Sequence, residues 1–262
     1  MVDQLRTAGV NVVIFDDGPD PVKPDAVFPN NWISTHADGT VYLYPMQAEN
    51  RRLERRHDIV ERLSTEHHFR ISNITDLSPL ELRGHFLEGT GSLVLDRVNR
   101  VAYAGLSDRT HPEALAEFAQ IANYEIATFP TAGRDGRPIY HTNVMMTIGT
   151  RFAVVCAEAI CDEAKRRAVL QKISETGRQV VEISLAQTEN FAGNMIELST
   201  QSGDTLIVGS RAAWGSLSDG QRAAIGSYGQ TLQVPLETIE LVGGGGVRCM
   251  IAEIFLPGVK ED

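Results

Sequence analysis

Four residues with chemically active side chains recur at nearly equal intervals along this chain. They are Glu88, His141, Asn194 and Cys249, and the steps between them are 53, 53 and 55 residues. A fifth polar residue, Asn31, precedes Glu88 by 57 residues. A carboxylate, an imidazole and a thiol are the groups that a cysteine hydrolase requires. The regular spacing indicates that a structural repeat brings them to one place.

Each of these residues lies in a short apolar stretch that predicts a β-strand, within units ordered strand, strand, helix, strand. Four units are predicted, at residues 26–74, 86–129, 139–183 and 191–237. A fifth would begin at residues 247–255 and take its last strand from residues 12–15. Equivalent strands of every propeller blade line one central channel. The sequence therefore predicts an α/β fold, a five-bladed α/β-propeller of ββαβ units, with residues 1–262 as a single catalytic domain.

The closing blade is predicted to be incomplete on its N-terminal side. A full fifth unit needs a second strand and a helix, yet only seven residues follow position 255 and eleven precede position 12. By analogy with the other units, we expect that about 40 residues of a full-length relative are absent upstream, or that the family has a reduced fifth blade.

Four helices are predicted between the strands, at residues 47–66, 110–123, 162–177 and 218–226. Pro112 suits a first helical turn, Ser218 suits an N-cap and Gly177 suits a helix end. The first helix is strongly charged by its arginines, and its buried face is marked by Leu53, Ile59, Val60 and Leu63.

The composition excludes several classes of protein. The chain has 262 residues, 42% of them apolar, and a net charge of −10, which argues against nonspecific nucleic-acid binding. No long apolar run predicts a membrane span, and no signal peptide is recognisable, so a cytoplasmic location is expected. Three cysteines are too few and too odd in number for a disulfide framework.

Cys249 is the candidate nucleophile because it follows four consecutive glycines, residues 243–246. Glycine allows a close approach of backbone to a ligand and conformations closed to other residues. A buried structural thiol is the alternative, and it suits Cys156 and Cys161 better.

His141 and Glu88 are the candidate acid–base groups. Histidine shuttles protons near neutral pH, whereas a carboxylate among apolar residues needs a partner. Either residue could instead be structural, His141 as a hydrogen-bonded residue at a strand end and Glu88 in an ion pair. His36 and His85 flank strands and remain open. No pair of residues has the spacing of a zinc site, so no metal is predicted.

These residues resemble the active-site motifs of the guanidino-group-modifying, or pentein, superfamily, which includes arginine deiminases, dimethylarginine hydrolases and amidinotransferases. The glycine run ending in Cys249, the Glu88 segment and the His141 stretch occur in the order of those motifs. Residues 28–36 and 189–195 look most like the citrulline-utilisation hydrolase branch, usually filed under amidinotransferase.

The resemblance implies covalent catalysis on a guanidino or ureido amino acid, with release of ammonia and no metal or organic cofactor. Cys249 would attack the central carbon of the substrate. His141 would protonate the leaving nitrogen and then deprotonate a water, and Glu88 would bind substrate nitrogens and orient the histidine.

Two positions depart from arginine deiminases, which generally have aspartates where this chain has Asn31 and Asn143. A carboxamide offers both a donor and an acceptor, so it matches a neutral ureido group better than a cation. The predicted substrate therefore has a ureido group, as citrulline has, or a guanidino group that the enzyme converts through the ureido stage and beyond. Deimination of arginine to citrulline is the next candidate. The predicted substrate-binding residues are Asn31, Asn143, Asn190, Asn194 and Phe28.

Two alternatives remain open. An amidinotransferase would use the same catalytic residues but pass the amidino group to an amine. A non-catalytic binding protein on the same fold would show no thiol, histidine and acid in phase. The sequence leaves the oligomeric state open, with a homodimer as one option.

Overall fold

The computed structural model describes residues 1–259 and contains four three-stranded sheets. In every sheet the first strand pairs antiparallel with the second, and the second pairs parallel with the third. A parallel pair needs a crossover connection, and a helix lies in the crossover of each unit. The predicted ββαβ repeat is thus confirmed in four units.

The strands are β1 (Ile33–Thr35), β2 (Thr40–Leu43), β3 (Asn73–Asp76), β4 (Val94–Asp96), β5 (Val101–Leu106), β6 (Glu125–Pro130), β7 (Met146–Ile148), β8 (Phe152–Val155), β9 (Gln179–Glu182), β10 (Ile196–Ser199), β11 (Thr205–Ser210) and β12 (Gln230–Val234). The helices are α1 (Val2–Thr7), α2 (His57–Thr65), α3 (Gly89–Ser92), α4 (Pro112–Ala122), α5 (Thr142–Met145), α6 (Glu163–Glu175), α7 (Leu185–Thr188), α8 (Arg211–Ser216), α9 (Asp219–Gly226) and α10 (Glu237–Gly243). Short 3₁₀ helices lie at Pro29–Asn31, Glu49–Glu54, Ser78–Arg83 and Ala157–Ala159. Among these elements no helix is long and apolar enough to cross a membrane.

Three of the four predicted helices are confirmed as α4, α6 and α9, and the first is wrong. Residues 47–66 form the 3₁₀ helix Glu49–Glu54 and then α2, because Arg55 and Arg56 are extended between them. Arg55 reaches back to the carbonyl of Tyr44, and Arg56 reaches the carbonyl of Asp16. These contacts hold the two arginines out of a continuous helix.

The five residues picked out by their spacing do not lie in strands, contrary to the prediction. Asn31 ends a 3₁₀ helix, Glu88 and His141 immediately precede α3 and α5, and Asn194 lies in a turn two residues before β10. Each of these four residues precedes the first strand of its unit. The repeat is real, but the polar side chains belong to the connection that enters each sheet.

The two predicted strands of the fifth unit are also wrong. Residues 247–250 form a turn in which Cys249 N donates to the Gly246 carbonyl at 3.1 Å. Residues 251–255 lie beside β1, but Thr35 Oγ1 rather than a backbone ladder makes the contacts, to Glu253 O and Phe255 N. Residues 12–15 are not a strand either, and the described residues form no closed sheet.

The hydrophobic core consists of clusters that join neighbouring units. In one cluster, Leu115 and Phe118 of α4 pack with Tyr42 of β2 and the adjacent Tyr44. The rings of Tyr42 and Phe118 meet edge to face at 5.5 Å. Because a helix of the second unit covers the sheet of the first, neither unit buries its apolar face alone.

Candidate active site

A buried carboxylate–imidazole pair forms one half of the site. Glu88 Oε2 lies 2.7 Å from His141 Nε2, and the two residues are 0% and 3% exposed. The tight turn after Glu88 depends on Gly89, which has φ +44°. A Cβ on Gly89 would come within 2.3 Å of the Asn30 carbonyl, so no larger residue fits there.

Three donors besides the histidine surround the Glu88 carboxylate. The backbone N–H of Gln47 donates to Oε1 at 3.0 Å, while Arg109 and Arg51 place guanidinium nitrogens 3.3 and 3.7 Å from Oε2. Burial by itself would raise the pKa of Glu88, but the hydrogen bond to His141 and the neighbouring positive charges outweigh it and lower the pKa to about 2. Glu88 is therefore ionised.

The ionised carboxylate assigns a proton to His141 Nε2 and leaves Nδ1 as an acceptor. Burial lowers the pKa of His141, and the hydrogen bond and charge of Glu88 oppose only part of that shift. His141 is thus a neutral, oriented imidazole. A Cβ on Gly91 would lie 2.9 Å from Nδ1, so the glycine keeps this nitrogen uncovered.

The thiol of Cys249 lies in the other half of the site, between two carboxamides. Asn194 Nδ2 lies 3.2 Å from the sulfur and Asn143 Nδ2 lies 3.6 Å from it. Asn194 is fixed because it also donates to the Asn143 carbonyl and accepts from Arg248 N. Burial raises the pKa of Cys249, although the hydrogen bond from Asn194 opposes the shift. The resting sulfur is a thiol.

The glycine run before Cys249 is explained by the ring of Phe28. A Cβ on Gly243 or Gly245 would come within 2.8 or 2.6 Å of that ring. A Cβ on Gly246 would come within 2.8 Å of Asn194 Oδ1. The run therefore allows an aromatic side chain and a carboxamide to approach the backbone beside the nucleophile.

Residues 140–143 connect the two halves. His141 belongs to the acid–base pair, and Asn143, two residues later, contacts the thiol. Tyr140 donates its hydroxyl to the Gly244 carbonyl, and its ring lies 5.1 Å from that of His141. A short segment thus joins the imidazole to the thiol.

The remaining predicted residues differ in position. Asn31 Oδ1 accepts from Arg51 Nη2 at 3.0 Å, and a Cβ on Gly91 would lie within 3 Å of both Asn31 and His141. Asn31 is therefore beside the acid–base pair. Asn190 is exposed and donates to the Ala186 carbonyl at the end of α7, apart from these contacts. Its role in substrate binding stays a prediction.

The sequence model of the family described as "N,N dimethylarginine dimethylhydrolase, eukaryotic" matches residues 1–256. The chain belongs to this family. The match confirms the predicted guanidino-group-modifying superfamily. No curated protein sequence matches the chain.

Solved structures of enzymes with related names share the fold. ArgZ, an arginine dihydrolase from cyanobacteria, is 19% identical with a TM-score of 0.68, over 91% of this chain and 34% of its own. AgrE in complex with ornithine and NAD⁺ is 20% identical with a TM-score of 0.69, over 93% and 32%. An adduct of a dimethylarginine dimethylaminohydrolase with S-methyl-L-thiocitrulline is 15% identical with a TM-score of 0.65, over 95% and 84%. The chain therefore spans about a third of the length of ArgZ and AgrE.

The sequence analysis did not identify the two arginines, Arg51 and Arg109, that form ion pairs with Glu88. Arg51 was predicted within a charged helix, yet it is only 4% exposed and makes two hydrogen bonds to Glu54, each of 2.9 Å. Arg109 follows β5 in a loop with no recognisable motif. Only the uncompensated charge of Glu88 could have indicated that such partners exist.

A cavity of about 840 Å³ adjoins the site without containing Glu88, His141 or Cys249. Its wall includes Asn143 and Arg248 together with residues from the first strand of each unit.

Proposed function

We propose that this chain is a cysteine-dependent hydrolase that cleaves C–N bonds in the guanidino or ureido group of an arginine-like amino acid. The observation that carries the proposal is that one segment, residues 140–143, contacts both Glu88 and the Cys249 thiol. His141 in this segment hydrogen-bonds to Glu88, and Asn143 contacts the sulfur. A nucleophile, a neutral base and an orienting carboxylate are the parts that covalent hydrolysis requires.

The charge of the substrate would activate the thiol. A cationic guanidinium next to Cys249 lowers the pKa of the sulfur, which burial otherwise raises. The thiolate then forms an S–C bond with the central carbon, and the thiol proton passes through His141 to the departing nitrogen, which leaves as ammonia. A water deprotonated by His141 adds to the same carbon and breaks the S–C bond, which yields a ureido product and restores the thiol.

The carboxamides around the sulfur favour a second round on the ureido group. Among the described residues no carboxylate contacts Cys249, and both Glu88 oxygens already accept hydrogen bonds. Asn143 and Asn194 present donors and acceptors that suit a neutral C=O and NH₂. In that round the sulfur displaces ammonia, and water releases a carbamate that loses CO₂. ArgZ, whose name is arginine dihydrolase, lends support from a fold relative.

The test is product analysis of purified protein supplied with L-arginine or with L-citrulline. We expect ammonia from both substrates and two ammonia molecules per arginine consumed. One ammonia per arginine, with citrulline accumulating and itself inert, would rule out the ureido round. Mass spectrometry of the quenched protein should detect the covalent adduct on Cys249.

N,N-dimethylarginine is a second candidate substrate, because the family that matches residues 1–256 carries that name. It requires the same thiol and base but releases dimethylamine instead of ammonia. Supplying it in the same assay and measuring dimethylamine separates the two candidates. Glycine added to the arginine reaction tests the amidinotransferase alternative, which would yield an amidino-glycine. The cytoplasmic location and the homodimer stay predictions.

For the fold, we propose that the four units and residues 247–256 surround one pseudo-fivefold axis. Side-chain hydrogen bonds between neighbouring units support this arrangement. Thr142 Oγ1 donates to the Ser92 carbonyl at 2.6 Å, Thr147 Oγ1 donates to the Met195 carbonyl at 2.8 Å, and Asn194 accepts from Arg248 N. A crystal structure in which successive units are related by rotations far from about 72° would contradict the proposal.

A further inference from the structure

A pair of stacked imidazoles lies outside the proposed catalytic machinery. The rings of His85 and His111 are parallel within 9°, with centroids 4.3 Å apart. His85 follows the 3₁₀ helix Ser78–Arg83, and His111 immediately precedes α4. Residues 26 positions apart along the chain therefore place their side chains in contact.

Backbone hydrogen bonds hold this pair from both sides. His111 N donates to the Phe86 carbonyl at 2.8 Å, and His85 N donates to the Leu80 carbonyl at 3.1 Å. An isolated antiparallel bridge between Leu87 and Thr110 continues the pairing. The backbone at both histidines is thus held in place by the fold.

A carboxylate completes a set of three potential metal ligands. Glu113 Oε2 lies 2.7 Å from His111 Nδ1, and one ligand atom from each of His85, His111 and Glu113 lies within 4.8 Å of the others. The Nδ1 atoms of both histidines are inaccessible to solvent, and neither makes a hydrogen bond of good geometry within residues 1–259. His111 Nδ1 has the Glu113 carboxylate beside it, whereas the buried Nδ1 of His85 has no partner within residues 1–259, which is unusual.

We propose that His85, His111 and Glu113 bind a Zn²⁺ ion or a similar divalent transition metal. Two imidazoles and one carboxylate form a donor set that zinc accepts, with a fourth position left for water. Bond lengths of about 2.0–2.2 Å to zinc bring ligand atoms roughly 3.3–3.5 Å apart. The rings are nearly parallel, so their in-plane nitrogen lone pairs do not converge as they stand. To reach one ion, at least one imidazole must turn about its side-chain bonds, and Glu113, whose side chain is 62% exposed, must swing outward.

The metal also resolves an energetic problem. The unsatisfied ring nitrogen of His85 costs free energy in the folded state, and coordination would turn that cost into a favourable bond. The ion should stabilise the fold by mass action, since it binds the assembled ligands and not the unfolded chain.

The test uses Cys249→Ser protein, stripped of metal with a chelator, so that the thiol cannot supply a competing site. Calorimetric titration with Zn²⁺ should give one ion per chain, and the melting temperature should rise with Zn²⁺ concentration. Co²⁺ should give visible d–d absorption typical of a four- or five-coordinate site.

Three further changes in the same background test the ligands. His111→Gln and His85→Gln should each weaken binding on the order of 100-fold, and Glu113→Gln about tenfold. His57→Gln, at the first residue of α2, is the control that should bind as tightly as its parent. Since Glu113 is exposed, its substitution leaves folding intact and keeps the test valid if a histidine variant misfolds. Stoichiometric binding that survives both Glu113→Gln and His111→Gln, or no binding by the parent protein, would overturn the proposal.

Discussion

The two halves of the site bury their reactive groups in opposite ways. In the acid–base half, Glu88 is fully buried as an anion, and its charge is balanced by Arg51, Arg109 and a hydrogen bond to His141. The result is a carboxylate with a pKa of about 2. Burial costs this group little because cations replace the water it loses.

In the thiol half, Cys249 is 3% exposed, and among residues 1–259 the side chains that hydrogen-bond to it are neutral carboxamides. Asn143 and Asn194 supply weak hydrogen bonds in place of charge, so burial raises the pKa of the sulfur. The comparison teaches that the resting site keeps its nucleophile protonated and its base neutral. Under the proposed function, the missing positive charge arrives with the substrate.

Removal of the nucleophile should have the largest effect. Cys249→Ser leaves the carboxamides and the acid–base half in place, so turnover of every substrate should fall at least on the order of 10⁴-fold with little change in melting temperature. Ammonia release from arginine measures it. Cys161→Ser is the control, since Cys161 is exposed and should keep wild-type activity. Comparable losses in both variants would contradict the assignment of the nucleophile.

Loss of the charge in the acid–base half should have the next largest effect. Glu88→Gln keeps the shape of the side chain but removes the carboxylate partner of Arg109, while Arg51 keeps its ion pair with Glu54. Steady-state kinetics should show kcat lowered on the order of 10²–10³-fold, because His141 loses its orienting anion. Glu117→Gln, which removes a surface partner of Arg83, should be near wild type. A Glu88→Gln variant with normal kcat would show that the pair is structural.

The lowered pKa of Glu88 predicts that the free energy of unfolding of the wild-type protein depends on pH, and the Glu88→Gln variant tests this prediction. The pKa of Glu88 is about 2 in the folded protein and 4.5 ordinarily, so ionised Glu88 stabilises the fold above pH 4.5. That contribution, on the order of 3 kcal/mol at pH 7, is lost as the pH falls from about 4.5 towards 2. Urea unfolding should show the gap between wild type and Glu88→Gln narrowing over that range. A gap independent of pH would contradict the linkage.

Alkylation of Cys249 tests the thiol half without substrate. Because burial raises the pKa of the sulfur and the thiolate is the nucleophile, the rate with iodoacetamide should rise about tenfold per pH unit from pH 7 to beyond 9, with no plateau below 9. A guanidinium compound bound at the site should speed alkylation at pH 7. A plateau near pH 7 in the free protein would mean that charge, and not the substrate, already activates the sulfur.

The candidate catalytic residues could be selected from the sequence because the repeat spaces them regularly. Glu88, His141 and Asn194 each lie shortly before the first strand of a unit. Their regular spacing along the chain therefore corresponds to similar positions in successive units of the structure. The local structure could not be predicted in the same way. Residues 139–148 are predicted from the sequence as one strand, but a helical turn, α5, precedes β7 within that run.

The arginines that pair with Glu88 could not be predicted from the sequence, for a different reason. Arg51 looked like part of a charged helix, but Arg55 and Arg56 interrupt that helix through contacts with residues distant in the sequence. Arg109 reaches Glu88 from a loop across 21 residues. Such pairs follow no periodicity, because they depend on how separate units pack. The prediction of strands in the fifth unit was wrong for the same reason. The Thr35 side chain contacts the backbone of Glu253 and Phe255, where a ladder of backbone hydrogen bonds was expected.

The smallest effect is expected from Asn143→Asp, which places a carboxylate beside the thiol and so makes the thiol half resemble the acid–base half. Asn143→Asp would pair a guanidinium cation through charged hydrogen bonds but would lose the donor that a ureido oxygen needs. The ratio of kcat/KM for arginine to that for citrulline should therefore rise roughly 5–10-fold, equivalent to about 1 kcal/mol. Asn190→Asp is the matched control, because Asn190 lies exposed at the end of α7 and should leave the ratio unchanged. If Asn143→Asp lowers both values equally, the carboxamide positions the sulfur and does not select the substrate.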